Sequence, residues 1–355
     1  MAARRFPALL FVLVALSSAS CDPTRYVLRR SGPTLDRAVG VLASYEDPGF
    51  ARQAAPALLA LLEGLLASDP GNPALLATLC RGLSEYAFGF LQQDAERLAT
   101  GDPAAATRAR QRARHHYVRV YELGLRLLRT RGVSLTLQRT PPAELRKLVA
   151  RLDRRAVPAL VWTAVGAGGA LQLGIGEPWL MQMRTGVGIL LERAHALDPG
   201  YASSLPSGAL GMYHAVDADS GGSALESKRY FEQAIRDTGR RYLPWLVLYA
   251  RHWAWQFQST AEERVGVGPA ARPVPVAPKD KRALFVALLE EVRRFPLERA
   301  PEHRLANRLA KEMAEALWPK RDDFLSRDTI PGAAPGSLAS LPPGGGASCW
   351  KGGSP

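Results

Sequence analysis

Cysteine is scarce in this chain: Cys21, Cys80 and Cys349 are the three in 355 residues. No CxxC pair occurs, which argues against a redox dithiol and against a cysteine-built structural zinc. Lysine is scarce as well, since 39 of the 46 basic residues are arginine. The hydrolase and protease signatures GxSxG and HExxH are absent, so the six histidines, His115, His116, His195, His214, His252 and His303, have no metal-ligand spacing. Gly166, Gly168 and Gly169 do not follow a strand and give no phosphate-cradling loop. Alternation of apolar and polar residues is nearly missing, with Val133 to Gln138 the one short strand candidate. These absences predict an all-α chain with no catalytic residues, no metal and no cofactor.

What is present begins with Arg4 and Arg5, followed by an uncharged apolar run from Phe6 to Leu16 and small residues up to Cys21. That is the layout of an export signal, too short for an ordinary membrane span. A cysteine directly after Ser18-Ala19-Ser20 points to a bacterial lipoprotein, with Cys21 lipidated and first in the mature chain. Lipoprotein signals usually have leucine where Ser18 stands, and a chance cysteine in a cleaved signal is the alternative. The expected organisation is a signal at 1–20, a tether at 21–34, a helical domain at 35–325 and a disordered Gly/Pro/Ser-rich tail at 326–355. Cys80 follows Leu75, Leu76 and Leu79 in a helical pattern and reads as a buried small apolar residue.

From Leu35 onward the apolar spacing is helical. Helices are expected at 34–45, 51–67, 74–99, 104–131, 142–152, 155–174, 179–197, 202–216, 222–238, 243–258, 280–294 and 301–322. The breaks fall at Asp69-Pro70, Asp102-Pro103, Pro141-Pro142, Glu177-Pro178, Asp198-Pro199 and Pro301. Ala156 to Gly176 is free of charge and long enough to span a bilayer. Its glycines and early proline favour a buried central helix, with small residues that let neighbours approach or leave space beside Trp162. Ser259 to Pro278 is rich in Val, Pro and Gly and reads as an irregular excursion.

The formal charge of +13 is spread along helices, densest at Arg108, Arg110, Arg112 and Arg114. A solvated face is the plain reading, anionic headgroups or an acidic partner the next. No nucleic-acid motif accompanies the charge.

Gly186 to Gln258 carries two partial statements of one helix-pair pattern. GVGILLERAHALDPGYASS leads to Leu210-Gly211, and ALESKRYFEQAIRD places Phe231 three residues before Ala234. Trp245, Tyr249 and Trp253 recur every fourth residue and share a helix face. Such a stripe reads first as core. The alternative is that Trp162, Tyr213, His214, Trp245, Tyr249 and Trp253 line an apolar ligand pocket or a subunit contact.

Several blocks, in order, carry a family resemblance. They are NPALLATLCRGLSEYAFGFLQQDAERL (72–98), VPALVWTAVGAGGALQL (157–173), LERAHALDPGYASSLPSGALGMYHAV (191–216), ALESKRYFEQAI, YLPWLVLYARHWA, DKRALFVALLEEV (280–292) and APEHRLANRLAKEMAEALWPKRDDFL (300–325). Over about Leu35 to Leu325 the chain resembles the T component of TRAP (tripartite ATP-independent periplasmic) transporters. The resemblance implies a compact all-helical domain of about 12 helices with cryptic tetratricopeptide-like helix pairs. It also implies a periplasmic lipoprotein, a trimer around a central opening, and pairing with the substrate-binding P component to handle a small, hydrophobic ligand. It transfers no catalytic residue. The competing expectation is an envelope helical-repeat scaffold without a small-molecule site.

Overall fold

Most helices in this chain are opened by a side-chain cap, a proline, or both. Asp47, Asn72 and Asp102 each precede a proline, and each accepts hydrogen bonds from the first turn: Gly49 N at 2.7 Å, Ala74 and Leu75 N at 3.1 and 3.2 Å, and Ala105 N at 2.9 Å. Proline at the first helical position has no N–H to leave unpaired, so cap and proline act together. In the computed structural model, which describes residues 32–174, 177–216, 221–256, 262–265, 272–275 and 281–324, these pairs open α2 (Pro48–Ser68), α3 (Pro73–Tyr86) and α5 (Pro103–Arg129). Cys21, the expected signal, Cys349 and the expected tail lie outside the described residues.

α1 (Gly32–Ser44) precedes them. α3 runs without a break through a π-helical stretch, Ala87–Gln92, into α4 (Gln93–Leu98). Then come α6 (Pro142–Ala150), α7 (Val157–Leu173), the short α8 (Pro178–Met181), α9 (Arg184–Leu197), α10 (Tyr201–His214) and α11 (Ala224–Asp237). α12 (Pro244–Tyr249) continues as a second π-helical stretch, Ala250–Trp255. α13 (Lys281–Arg294) and α14 (Arg304–Leu317) complete the helices, with 3₁₀ turns on both sides of α14.

The fold is therefore all-α in character, close to the helix spans read from the sequence, with three departures. The expected helix 179–197 is two, α8 and α9. The expected helix 202–216 opens on a left-handed turn, with positive φ at Ala202, Ser203 and Ser204. The excursion at 259–278 is not wholly irregular: β1 (Glu262–Val265) and β2 (Arg272–Pro275) pair antiparallel, with Glu262 opposite Pro275 and Val265 opposite Arg272. Valines interrupted by proline hide a strand from periodicity, because proline reads as a breaker while remaining compatible with an edge strand.

The apolar side chains form two cores. The first gathers Leu62, Leu76, Leu79, Leu123, Leu160 and Leu190 from α2, α3, α5, α7 and α9. The second gathers Phe231, Leu246, Phe285, Leu289 and Ala314 from α11 to α14. α10 lies between them: Leu210 belongs to the first, and Met212 packs on the second. Cys80 is fully enclosed in the first core, its thiol 3.8 Å from the Val120 carbonyl, and burial pushes its pKa up.

α7, the charge-free helix, is the buried centre of the first core rather than a span. Its glycines bring α5 into backbone contact. A Cβ on Gly166 would strike the Tyr121 backbone, one on Gly169 would meet the Tyr117 ring at 2.5 Å, and one on Gly124 of α5 would meet Thr163 Cα at 2.7 Å. The small residues thus close the space between helices. Interior packing of this density leaves no room for an added methyl without displacement.

Candidate ligand-facing site

The six aromatic and histidine positions singled out as one pocket are divided by the fold. Trp162 lies in the first core and donates Nε1 to the Tyr201 hydroxyl at 3.2 Å. Trp245, Tyr249 and Trp253 lie in the second. The Trp245 indole donates to the Ser203 carbonyl at 2.7 Å, Trp253 donates to the Ala224 carbonyl at 2.7 Å, and Tyr249 hydrogen-bonds Glu232 at 3.2 Å. All four are buried, with their polar atoms taken by the protein itself, which is how large amphipathic rings are accommodated in a core. Two glycines of α10 seat the stripe: a Cβ on Gly208 would fall on the Trp245 ring, and one on Gly211 on that of Phe231.

Tyr213 and His214 are different. They end α10 and are half-buried. Around them α9 supplies Arg184, Gly188 and His195 from one face, and α11 supplies Glu226, Arg229, Tyr230 and Gln233. The Arg184 guanidinium lies 4.6 Å from the Tyr213 ring centre and donates to the Tyr213 carbonyl at 3.2 Å. The Tyr213 hydroxyl occupies the space a side chain at Gly188 would need.

His214 meets the Tyr213 ring edge to face at 5.0 Å and stacks on Tyr230 at 5.8 Å with the planes 10° apart. Tyr230 in turn meets His195 edge to face at 5.2 Å, and His195 Nε2 pairs with Gln233 Oε1 at 3.1 Å. Arg229 covers the Tyr230 ring at 4.3 Å while ion-paired to Glu226. The result is a continuous row, Tyr213–His214–Tyr230–His195, with a guanidinium on each tyrosine.

Burial lowers the His214 pKa, and the charges of Arg184 and Arg229 act the same way against Glu226, so the ring is neutral at pH 7. His214 Nδ1 is enclosed and has no hydrogen-bond partner. Burial likewise raises the Tyr213 and Tyr230 hydroxyls. Such a row offers stacking faces and cationic edges, and it contains no paired acid and nucleophile. Among the described residues no group of three His, Cys, Asp or Glu is placed to hold a metal.

Sequence reasoning placed Tyr213 and His214 here but missed Arg184, His195 and Tyr230. Their one local signal was the three-turn spacing of Arg184 and His195 along a single face of α9. Their meeting with Tyr230 is tertiary. Two surface concavities lie elsewhere. One of about 320 Å³ sits between α13 and α14 and is lined by Glu290, Arg293, Arg294 and Glu315. The other, of about 300 Å³, is lined by Pro73, Ala77, Leu127, Arg131, Arg155 and Ala159, among others.

Fold and site together define an all-helical protein whose close-packed helices carry an aromatic row, half-buried at Tyr213, His214 and His195 and buried at Tyr230. The chain belongs to the family described as TRAP transporter T-component, which matches residues 44–263 and 270–325. It is also similar to an uncharacterized protein of Treponema pallidum (strain Nichols), at 28% identity over 189 residues, 52% of this chain and 58% of that protein. The chain thus spans little more than half the length of that curated relative. Membership in the family supports an auxiliary role in transport.

Proposed function

We propose that this protein is the auxiliary component of a TRAP-type uptake system in the periplasm, held to a membrane by lipid on Cys21. It docks the substrate-binding P component and presents the Tyr213–His214–Tyr230 row to a small ligand with an apolar or planar body. The α9–α10 and α10–α11 neighbours are tetratricopeptide-like pairs in this reading, with Gly188 receiving the Tyr213 ring across the first and Gly211 the Phe231 ring across the second. Of the six positions first grouped as a pocket, Tyr213 and His214 face the ligand, while Trp162, Trp245, Tyr249 and Trp253 hold the wall behind them. The observation that carries the reading is the enclosed, unpartnered His214 Nδ1 within a half-buried aromatic row, in a chain of this family.

The test is capture of the P component encoded by the same genome, with a stacking fluorescent probe as ligand surrogate. Wild type is expected to bind both, and Tyr213→Ala with His214→Ala to lose the probe while keeping its helical circular dichroism. Undiminished probe binding by both variants overturns the ligand assignment.

The satisfied polar atoms of Trp162, Trp245, Tyr249 and Trp253 favour a second reading, a helical scaffold of the envelope without a small-molecule site. Partner capture with no probe binding supports that reading.

A further inference from the structure

α2 is apolar enough over its 21 residues to cross a membrane, yet 28% of its most apolar window is buried. Ala51, Ala55, Leu59, Leu62 and Leu66 face the core. On the opposite side Phe50, Ala57, Leu61 and Gly64 are exposed, at spacings of seven, four and three residues that keep them on one helix face as a second apolar stripe. Phe50 and Leu61 are 50% and 58% exposed, against an expectation that residues of this size go inside. The patch continues onto α1, where Val41 is 53% exposed, and to Tyr45 just beyond it, whose ring is tilted 47° against that of Phe50 with ring centres 4.9 Å apart.

Charge borders this stripe on the α5 side. Arg119 reaches Glu63 at 3.2 Å and Glu122 at 3.5 Å, and Arg126 donates to the Pro70 carbonyl at 2.6 Å. The acids on the stripe's side are Glu46, Asp47 and Glu63; Asp47 is engaged as the α2 cap and Glu63 by Arg119. Burial and the like charge of Arg119 and Arg129 lower the Arg126 pKa, which remains far above neutrality.

We infer that the exposed face of α1–α2, centred on Phe50 and Leu61, seats the protein on an anionic lipid bilayer. An apolar helix stripe with an aromatic pair at one end and guanidinium groups alongside matches the chemistry of an interfacial helix, apolar face in the acyl boundary and cations at the headgroups. Chain length agrees: ten residues lie between Cys21 and Gly32, a reach of at most about 35 Å. This last argument rests on the Cys21 assignment, and the others do not. A single surface helix binds weakly, and lipid on Cys21 would supply the second contact that stable anchoring needs.

The test is hydroxyl-radical oxidation of the full chain, alone, with phosphatidylglycerol vesicles and with phosphatidylcholine vesicles, read by mass spectrometry. Tyr45, Phe50 and Leu61 are expected to be protected by phosphatidylglycerol and much less by phosphatidylcholine. Trp179 and Met181, which are exposed on α8, serve as unprotected references. Phe50→Asp with Leu61→Asp, both at exposed positions, should keep the thermal midpoint and lose the phosphatidylglycerol protection of Tyr45, whether or not Cys21 is acylated. Equal oxidation of Phe50 and Leu61 with and without vesicles overturns the inference. So does protection that grows with protein concentration in the absence of lipid, which assigns the face to a second copy. The same spectra read the mass of the N-terminal peptide: an unacylated Cys21 beside a protected Leu61 removes the anchor and keeps the inference.

Discussion

Trp245 donates its indole N–H to the carbonyl of Ser203 at 2.7 Å, and Ser203 sits in the middle of a left-handed turn inside α10. Ala202, Ser203 and Ser204 all have positive φ, at 48°, 60° and 62°. Left-handed helical conformation costs roughly 1–2 kcal/mol per residue with a Cβ, so three in succession must be held by their surroundings. The holders are visible. Besides Trp245, Ser204 Oγ lies 3.0 Å from the Pro199 carbonyl and 3.0 Å from Asp237 Oδ2.

Ala202→Gly tests this turn. Glycine in an ordinary helix interior costs about 1 kcal/mol relative to alanine. In a left-handed turn it removes a Cβ penalty of similar or larger size. Urea denaturation is expected to show unchanged or raised stability; a loss of about 1 kcal/mol would mean that Ala202 is right-handed in solution.

Trp245→Phe keeps most of the buried area and deletes the donor to Ser203. The bond is part-buried, and losing a hydrogen bond of this kind costs about 0.5–1.5 kcal/mol, read as a lowered urea midpoint with unchanged slope. Trp253→Ala, in the same core, should cost more, about 3–5 kcal/mol, because it empties a cavity as well. Tyr213→Phe should leave stability nearly untouched, since the Tyr213 hydroxyl has no such core role.

Two glycines of α7 separate helix propensity from packing. At Gly168 the nearest side-chain atom to an added Cβ is Val187 Cγ1 at 3.6 Å, ordinary contact, so Gly168→Ala should stabilise by up to about 1 kcal/mol. At Gly166 the Cβ would meet the Tyr121 backbone, which cannot turn aside, and Gly166→Ala should destabilise by about 1–3 kcal/mol or more. Thermal unfolding of the two variants should therefore move in opposite directions.

Acid should weaken the fold through its histidines. Burial lowers the pKa of His116, His214 and His303, and it holds His252 down to about 3, with the Arg251 charge adding to the effect. These rings are neutral when folded and take up protons near pH 6.5 when unfolded. Between pH 6.5 and the folded pKa the unfolded chain therefore binds more protons, and stability falls as pH falls. The urea midpoint is expected to drop between pH 7 and pH 5, and to drop less in His252→Gln. Parallel curves for wild type and His252→Gln would exclude His252 as a contributor.

The sequence by itself determined the helices and their ends. Asp47-Pro48, Asn72-Pro73 and Asp102-Pro103 are local signals, since a side-chain oxygen and a missing N–H act within one turn. The burial of Cys80 and of the Trp245, Tyr249 and Trp253 stripe was equally legible, because one face of one helix sets it. The left-handed turn at Ala202–Ser204 was not legible, for nothing in those residue types prefers it; Trp245 and Asp237, distant in the chain, supply the contacts that accompany it. The row Tyr213–His214–Tyr230–His195 was half legible, its members lying on three helices whose meeting depends on glycines at 188 and 211. Likewise the sequence placed a helix at 51–67. Only the tertiary structure decided that one stripe of it enters the core while another, from Phe50 to Leu61, faces outward, because a helix has two sides and the fold covers one.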